Sequence, residues 1–262
     1  SRPLRDQIAV ECHAARTWAK GITLSRRYSR EMRLGLPAIS AHSRCMSPLK
    51  TLRRLDAAVM PVRCVFCGTR TLDIEGFVCV GCHADLPWND ASTTRSGPLV
   101  ERVIVPLRYE FPIDAAIKAL KFRRKLFYAP AFAQLLRGFS DELPDDVDAV
   151  LPVPLHWRRK WWRGFNQALE IARPIANHLG LPLAHVARRH RATPPQSGLS
   201  AAAREKNLRR AFTVRRRVNY QHVLVIDDVV TTGATLTHLA SELRENGIEK
   251  VSAMALARSG AR

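Results

Sequence analysis

The sequence predicts an α/β fold: a mainly parallel sheet flanked by helices, with a small zinc-binding module toward its N-terminal end. Two apolar runs, 147–151 and 223–226, have the pattern of strands buried on both faces of a parallel sheet. The first is followed, after a proline-bearing loop and a basic, tryptophan-rich stretch, by a segment of helical period at 165–179. The second is followed, after a short polar turn, by one with Leu236, Leu239, Ala240 and Leu243 on one face. Separately, four cysteines fall as C-x2-C, eleven residues, C-x2-C. That spacing suits one metal ion better than a secreted disulfide framework.

Composition sets the bounds. A chain of 262 residues can bury one substantial domain plus something small. Its 46% apolar content is ordinary for a globular protein. No run of roughly 18 apolar residues occurs, so no membrane span is expected. The net charge of +19 points to phosphate-bearing partners. Residues 1–60 hold 12 Lys/Arg against 4 Asp/Glu, so only part of the excess lies there and the rest is spread along the chain.

Residues 1–45 are basic, poor in acids and without sustained apolar period. The expectation is a disordered or non-native extension ahead of a better-behaved stretch beginning near Met46, with an organellar transit peptide as the alternative. Residues 46–98 read as a helix, the cysteine module and a Pro/Ser/Thr/Gly linker. Cys64, Cys67, Cys79 and Cys82 are the expected Zn²⁺ ligands, with Gly68 and Gly81 permitting the tight turns. Four thiolates close a tetrahedral site and leave no position for a substrate, so the role is structural. Two disulfides are the alternative, disfavoured by the cytoplasmic location expected for the chain. His83 reads as a surface histidine, or as a substitute ligand.

The main domain is expected over 99–262. Residues 100–109 read as a strand, 114–122 and 126–139 as helices, and 140–146 as a polar break. Lys121 falls near the apolar face of the first helix, so it is not dismissed as solvent-facing. The strand at 147–151 stops in Pro152, Val153, Pro154, Leu155 and His156, which makes a rigid loop at the edge of the sheet where open α/β folds bind ligands. Residues 157–163 then pack four cations and three tryptophans into seven positions. They suit a single-stranded nucleic acid groove, a pyrophosphate clamp, or rings packed into the core. The helix that follows is expected to cap at Gly180 and to kink at Pro174. The basic, Pro/Gly-bearing stretch 188–217 reads as a mobile flap over the site or as a solvated loop.

The chain is organised around 222–236. Its strand ends in Asp227 and Asp228, and three residues on comes Thr231-Thr-Gly-Ala-Thr235 at the start of a helix. Backbone N–H groups and the positive helix end converge there on an anion. Carboxylates beside a phosphate cradle make sense when the ligand also carries vicinal hydroxyls or a divalent metal, as a sugar phosphate does. No G-x-x-x-x-G-K-[ST] occurs, which excludes a P-loop.

This stretch resembles the phosphoribosyl-pyrophosphate (PRPP) loop of type I phosphoribosyltransferases. Together with Arg163-Gly-Phe-Asn-Gln-Ala168, Thr193-Pro-Pro-Gln196, Leu199, Arg204, Asn207, Ala211-Phe212 and the four-cysteine knuckle, it makes the chain from about residue 52 onward resemble the ComF (competence protein F) branch of that superfamily. The resemblance implies a type I phosphoribosyltransferase-like fold, with Asp227 and Asp228 on the ribose and Thr231, Thr232, Gly233, Ala234 and Thr235 on the 5′-phosphate. It implies Val153, Pro154, Leu155 and His156 on pyrophosphate, and Mg²⁺ accompanying PRPP. Arg158, Arg159, Arg163 and Lys121 are candidates for pyrophosphate or DNA. The implied reaction transfers a phosphoribosyl group to an acceptor that the sequence does not name, in a protein linked to DNA uptake. The alternative is a non-catalytic basic adaptor between single-stranded DNA and competence proteins. No side chain stands out as a general base, and the oligomeric state is not legible.

Overall fold

The computed structural model describes residues 62–71, 76–90, 92–94, 97–190, 211–215 and 218–260. The expectations for 1–45, for a helix between 46 and the first knuckle, and for the basic stretch 191–210 lie outside these residues. The chain divides into two compact units, 1–83 and 84–262.

In the first unit the cysteine pairs form two knuckles. Around the first, Arg63 and Arg70 bridge in antiparallel fashion, the Cys64 N–H donates to Thr69 O at 2.8 Å, and Gly68 turns the chain with φ +76°. A left-handed residue is needed there, and glycine takes it without Cβ strain. The second pair sits at the start of a short helix, α1 (Val80–Ala84). Here the Cys82 N–H points at Cys79 Sγ at 3.5 Å.

The second unit is an α/β sheet. Its strands are β1 (Thr93–Thr94), β2 (Arg102–Ile104), β3 (Leu107–Arg108), β4 (Ala149–Pro152), β7 (His222–Val230) and β8 (Lys250–Arg258), in the order β1-β2-β8-β7-β4 with β3 also on β8. All pairings are parallel except that of β1, an antiparallel edge in the stretch expected to be linker. The strand expected at 100–109 is two pieces. Ile104 pairs with Met254 and Leu107 with Ala257 in one unbroken register, and the gap falls at Val105-Pro106, where proline has no N–H for the ladder. A separate antiparallel pair, β5 (Ala187–Arg189) and β6 (Phe212–Val214), brackets the undescribed basic stretch.

Helices cover both faces. α2 (Ile113–Arg123), α3 (Tyr128–Arg137), α5 (Gln167–Leu179) and α6 (Ala234–Glu245) follow the expected positions within a few residues, and α4 (Trp157–Arg163) is a further helix in the Trp-rich basic stretch. α6 buries Leu236, Leu239, Ala240 and Leu243, the four residues the helical period selects. They share a core with Val223, Val225, Val251, Ala253 and Ala255. Strand alternation sends Leu224, Ile226, Met254 and Leu256 to the opposite face. α5 closes at Gly180 (φ +67°), and Pro174 sits inside it. Its first turn is fastened by Asn166, which caps Ala168 N at 3.2 Å and donates to Val153 O at 3.0 Å.

The amino edge of the sheet is clamped by a polar cluster in which His222 and Ser252 are buried while Asp146 and Lys250 are exposed. His222 (1% exposed) bonds Asp146 Oδ1 through Nδ1 at 2.7 Å and Ser252 Oγ through Nε2 at 2.9 Å. Lys250 Nζ donates to the other Asp146 oxygen at 2.8 Å. Lys250 and then His222 hold the Asp146 carboxyl down at about 2. The Asp–His–Ser order has the connectivity of a nucleophilic triad, but Ser252 is 0% exposed, so no substrate reaches it and the group ties β7 to β8. Ser252→Ala leaves His222 Nε2 unpaired in a dry site and should cost about 1–3 kcal/mol of stability. A thermal melt measures this, and an unchanged melting temperature would mean that the hydroxyl contributes nothing.

Candidate functional site

The parallel strands β4 and β7 end at the same edge, since Pro152 pairs with Ile226, and a cavity of about 690 Å³ opens there. β7 continues two residues past the acids, to Val230, rather than ending at them. Asp228 is buried and ion-paired with Lys121 of α2. The half-buried Asp227 accepts from the Asp228 N–H at 2.9 Å. Two adjacent carboxyls in a desolvated pocket do not ionise alike. Burial, and then the charge of Asp228, push Asp227 up to about 8. Burial works against Asp228 as well, but Lys121 prevails and holds it below its ordinary value.

The turn after β7 is built for an anion. Gly233 lies at φ +78° and, as the Ncap of α6, offers no side chain to the helix. The Ala234 N–H makes only a long bond to Thr232 Oγ1 at 3.4 Å, which leaves the positive end of the helix facing the turn. Thr231 and Thr235 line the cavity. The same cavity is lined by Val153, Pro154 and Leu155, together with Lys121, Arg159, Arg163 and Arg189. Arg163 is 8% exposed, and its Nε has no hydrogen-bond partner. One of its terminal nitrogens donates to Gln167 Oε1 at 2.5 Å, and the guanidinium lies 5.6 Å from the Phe122 ring centre. Burial lowers its pKa and Asp228 pulls the other way. A buried cation with a spare donor beside an acid pair is a site prepared for a negatively charged ligand.

Not every expected residue lines this cavity. The His156 ring is buried, accepts from Arg158 N at 3.2 Å and lies 2.9 Å from His190 O. It caps α4 and ties the 152–156 loop to the end of β5. Arg158 stacks 5.3 Å over Trp157. Thr232, Gly233 and Ala234 shape the turn without lining the cavity. The core-packing reading of the tryptophans fails: Trp157, Trp161 and Trp162 are 63%, 85% and 62% exposed.

In the first unit, the four cysteine Sγ atoms lie within 4.8 Å of one another. Cys67 and Cys79 sulfurs are 3.6 Å apart. Sulfurs on a tetrahedron of radius about 2.3 Å stand about 3.8 Å apart, whereas a disulfide needs about 2.05 Å. All four are free thiols, so the disulfide alternative falls and the donor set fits one metal ion. His83 is not among the potential ligands.

Residues 166–262 match the family described as phosphoribosyl transferase domain. Competence protein F of Haemophilus influenzae is 31% identical over 196 residues, 69% of this chain and 84% of its own length. The chain belongs to the competence protein F family. DNA utilization protein YhgH of Salmonella typhimurium is 36% identical over 171 residues, covering 62% of this chain and 74% of that protein. Among solved structures, glutamine PRPP amidotransferase from B. subtilis, complexed with ADP and GMP, superposes with a TM-score of 0.37 at 21% identity over 53% of this chain and 30% of that one. So loose a superposition carries no weight here. The family match and the sheet order together make the fold type I phosphoribosyltransferase-like, with the cysteine cluster ahead of it.

In this competence protein F family member, several cavity residues carry no isolated sequence signal. Arg189 sits on β5, inside what reads as flap, and Tyr109, Phe122 and Ser259 belong to no motif. Gln167 was legible only as part of the 163–168 run.

The acid pair generates a pH test. A carboxyl raised from 3.8 to about 8 on folding keeps its proton in the native state longer than in the unfolded one. Its contribution to stability is therefore complete below the unfolded value and is lost as pH rises through the folded value. Wild-type melting temperature should fall between about pH 4 and 8 more steeply than that of Asp227→Asn. Parallel profiles would show that Asp227 carries its ordinary charge.

Proposed function

We propose that this competence protein F family member binds PRPP with Mg²⁺ in the 690 Å³ cavity and transfers the phosphoribosyl group to an acceptor during the handling of incoming DNA. The observation that carries this reading is the meeting, in one cavity, of the Asp227–Asp228 pair, Thr231 and Thr235 from the turn into α6, and the cations Lys121, Arg159 and Arg163. The acids accept from the ribose hydroxyls and the turn at 231–235 takes the 5′-phosphate. The cationic wall, with the backbone at Val153, Pro154 and Leu155, faces the pyrophosphate. The acceptor's nucleophile forms a bond to the anomeric carbon as the bond to pyrophosphate oxygen breaks, the electron pair leaves with pyrophosphate, and the acceptor gives its proton to solvent.

Catalysis on this reading is positioning plus charge neutralisation. Mg²⁺, when bound, offsets charge on the departing pyrophosphate. The carboxylates fit it: Asp228 is engaged by Lys121, so Asp227 is the oxygen left for an ion that arrives on the ligand's own phosphates. PRPP binding should therefore favour ionised Asp227.

Zn²⁺ is the metal we assign to Cys64, Cys67, Cys79 and Cys82, in a structural role, and a cytoplasmic location keeps those thiols reduced. Cys82→Ser should lower solubility and release one metal ion per chain. Metal analysis of the purified protein tests this, and a stable, zinc-free wild type would sink it.

The second reading, a non-catalytic adaptor on single-stranded DNA and competence proteins, is favoured by the exposed tryptophans of α4 among Arg158, Arg159 and Lys160. Calorimetry with PRPP and Mg²⁺ on wild type and on Asp227→Asn/Asp228→Asn separates the two. Each charged hydrogen bond lost should cost about 1–3 kcal/mol of binding. No binding by wild type at millimolar PRPP would end the first reading. In a transformable host the double variant should lose DNA uptake yet keep salt-sensitive DNA affinity in vitro. A pure adaptor keeps both and fails instead when Arg158 and Arg159 are neutralised.

A further inference from the structure

A second cavity of about 480 Å³ shares Pro154, Leu155 and Arg189 with the first and is otherwise separate from it. Its chemistry differs. No aspartate or glutamate lines it, whereas Lys160, Arg188, His185 and His190 join Arg189 around it. Lys160 and Arg188 are exposed, and among the described residues neither makes an ion pair. Their charges are therefore available to a ligand. The indole of Trp157 forms part of the wall, 63% exposed. Leu151 and Ala184 beneath it are buried and apolar.

The walls are fixed before any ligand arrives. The His156 ring, 2.9 Å from His190 O, joins the 152–156 loop to the end of β5. Asn166 holds the same loop through Val153 O at 3.0 Å. β5 is in turn paired with β6 from Ala187 to Arg189. Such a cavity falls within the range of about 300–1,000 Å³ typical of small-molecule sites. It is larger than an inorganic anion needs, and the flat aromatic wall has no role for one.

We propose that this cavity binds a nucleoside 5′-phosphate, with the base against Trp157 and the apolar floor and the phosphate on Lys160 and Arg188. Ring stacking and a cation cluster free of acids are the two features such a ligand requires. The ligand is either a free mononucleotide or the 5′-phosphorylated end of a single strand. The proposal does not rest on PRPP binding, because Asp227 and Asp228 take no part in it.

Isothermal titration with adenosine 5′-monophosphate provides the test, with adenosine and inorganic phosphate as partial ligands. A nucleotide carries the same ribose 5′-phosphate that the first cavity is proposed to hold, so the titration is run on Asp227→Asn/Asp228→Asn as well as on wild type. In the double variant the nucleotide should bind one per chain and more tightly than either fragment. Lys160→Ala/Arg188→Ala should weaken it at least about tenfold and Trp157→Ala about fivefold or more. These side chains are exposed, and a melt of each variant checks that it is folded. A second nucleotide that binds wild type but not Asp227→Asn/Asp228→Asn belongs to the first cavity, whereas the one on Lys160 and Arg188 should persist in that variant. Competition by a 5′-phosphorylated oligothymidylate, but not by its 5′-hydroxyl counterpart, assigns the site to strand ends, and failure of both assigns it to the free nucleotide. Equal competition by both strands would overturn the proposal in favour of a general backbone groove. So would the absence of nucleotide binding, or binding lost in the aspartate variant and kept in the Lys160/Arg188 variant. If PRPP fails to bind while the nucleotide binds, only the reading of the first cavity is lost.

Discussion

The arrangement of the second unit turns on the ion pair between Lys121 and Asp228. A strand buried on both faces does not readily carry two adjacent carboxylates without a cation nearby, because water is excluded and like charges repel. Lys121 supplies that cation from α2, a helix held to the core by Ile113, Ala116, Ile117 and Leu120. The pair fixes where α2 stands relative to β7, and so fixes one wall of the cavity. It also sets the two acids apart: Asp228 is paired with the protein's own cation, while Asp227 faces the cavity without one.

The opposite edge of the sheet spends its polar groups differently. At the amino end of β7, His222, Asp146, Ser252 and Lys250 satisfy one another in a closed set. At the carboxyl end Arg163 Nε is left without a hydrogen bond and α6 begins without a side-chain cap. Polar groups that satisfy one another hold the edge they sit on, whereas a buried group left without a partner calls for an explanation, and a ligand that completes the bonding is one. The contrast between the two ends of one strand is a stronger argument for the site than any single residue. The cysteine cluster follows the same logic in the first unit, where closely gathered thiols call for a metal rather than for each other.

Local pattern made much of this legible. The β7–turn–α6 unit could be read because its signals are contiguous: an apolar run, two acids, a Thr/Gly turn and a helical period whose four apolar residues all proved buried. The interruption of the strand at Val105-Pro106 hangs on one residue that cannot donate, and a ten-residue apolar window conceals it. The tryptophans at 157, 161 and 162 have a spacing that fits either a core or a surface. In the fold the buried member of α4 is Arg163, which faces the acid pair, so the rings turn outward.

The sequence by itself determined the fold class, the two cysteine knuckles, the strand that bears the acids and the Thr/Gly turn after it, because each is encoded within a dozen neighbouring residues. Only the tertiary structure decided that Lys121 rather than another cation meets Asp228, and that His156 points away from the cavity to cap a helix. It also brought Arg189 to the wall between two cavities. These outcomes depend on where separate helices and strands come to rest on the sheet. That is set by the burial of apolar faces far along the chain, and no local spacing records it.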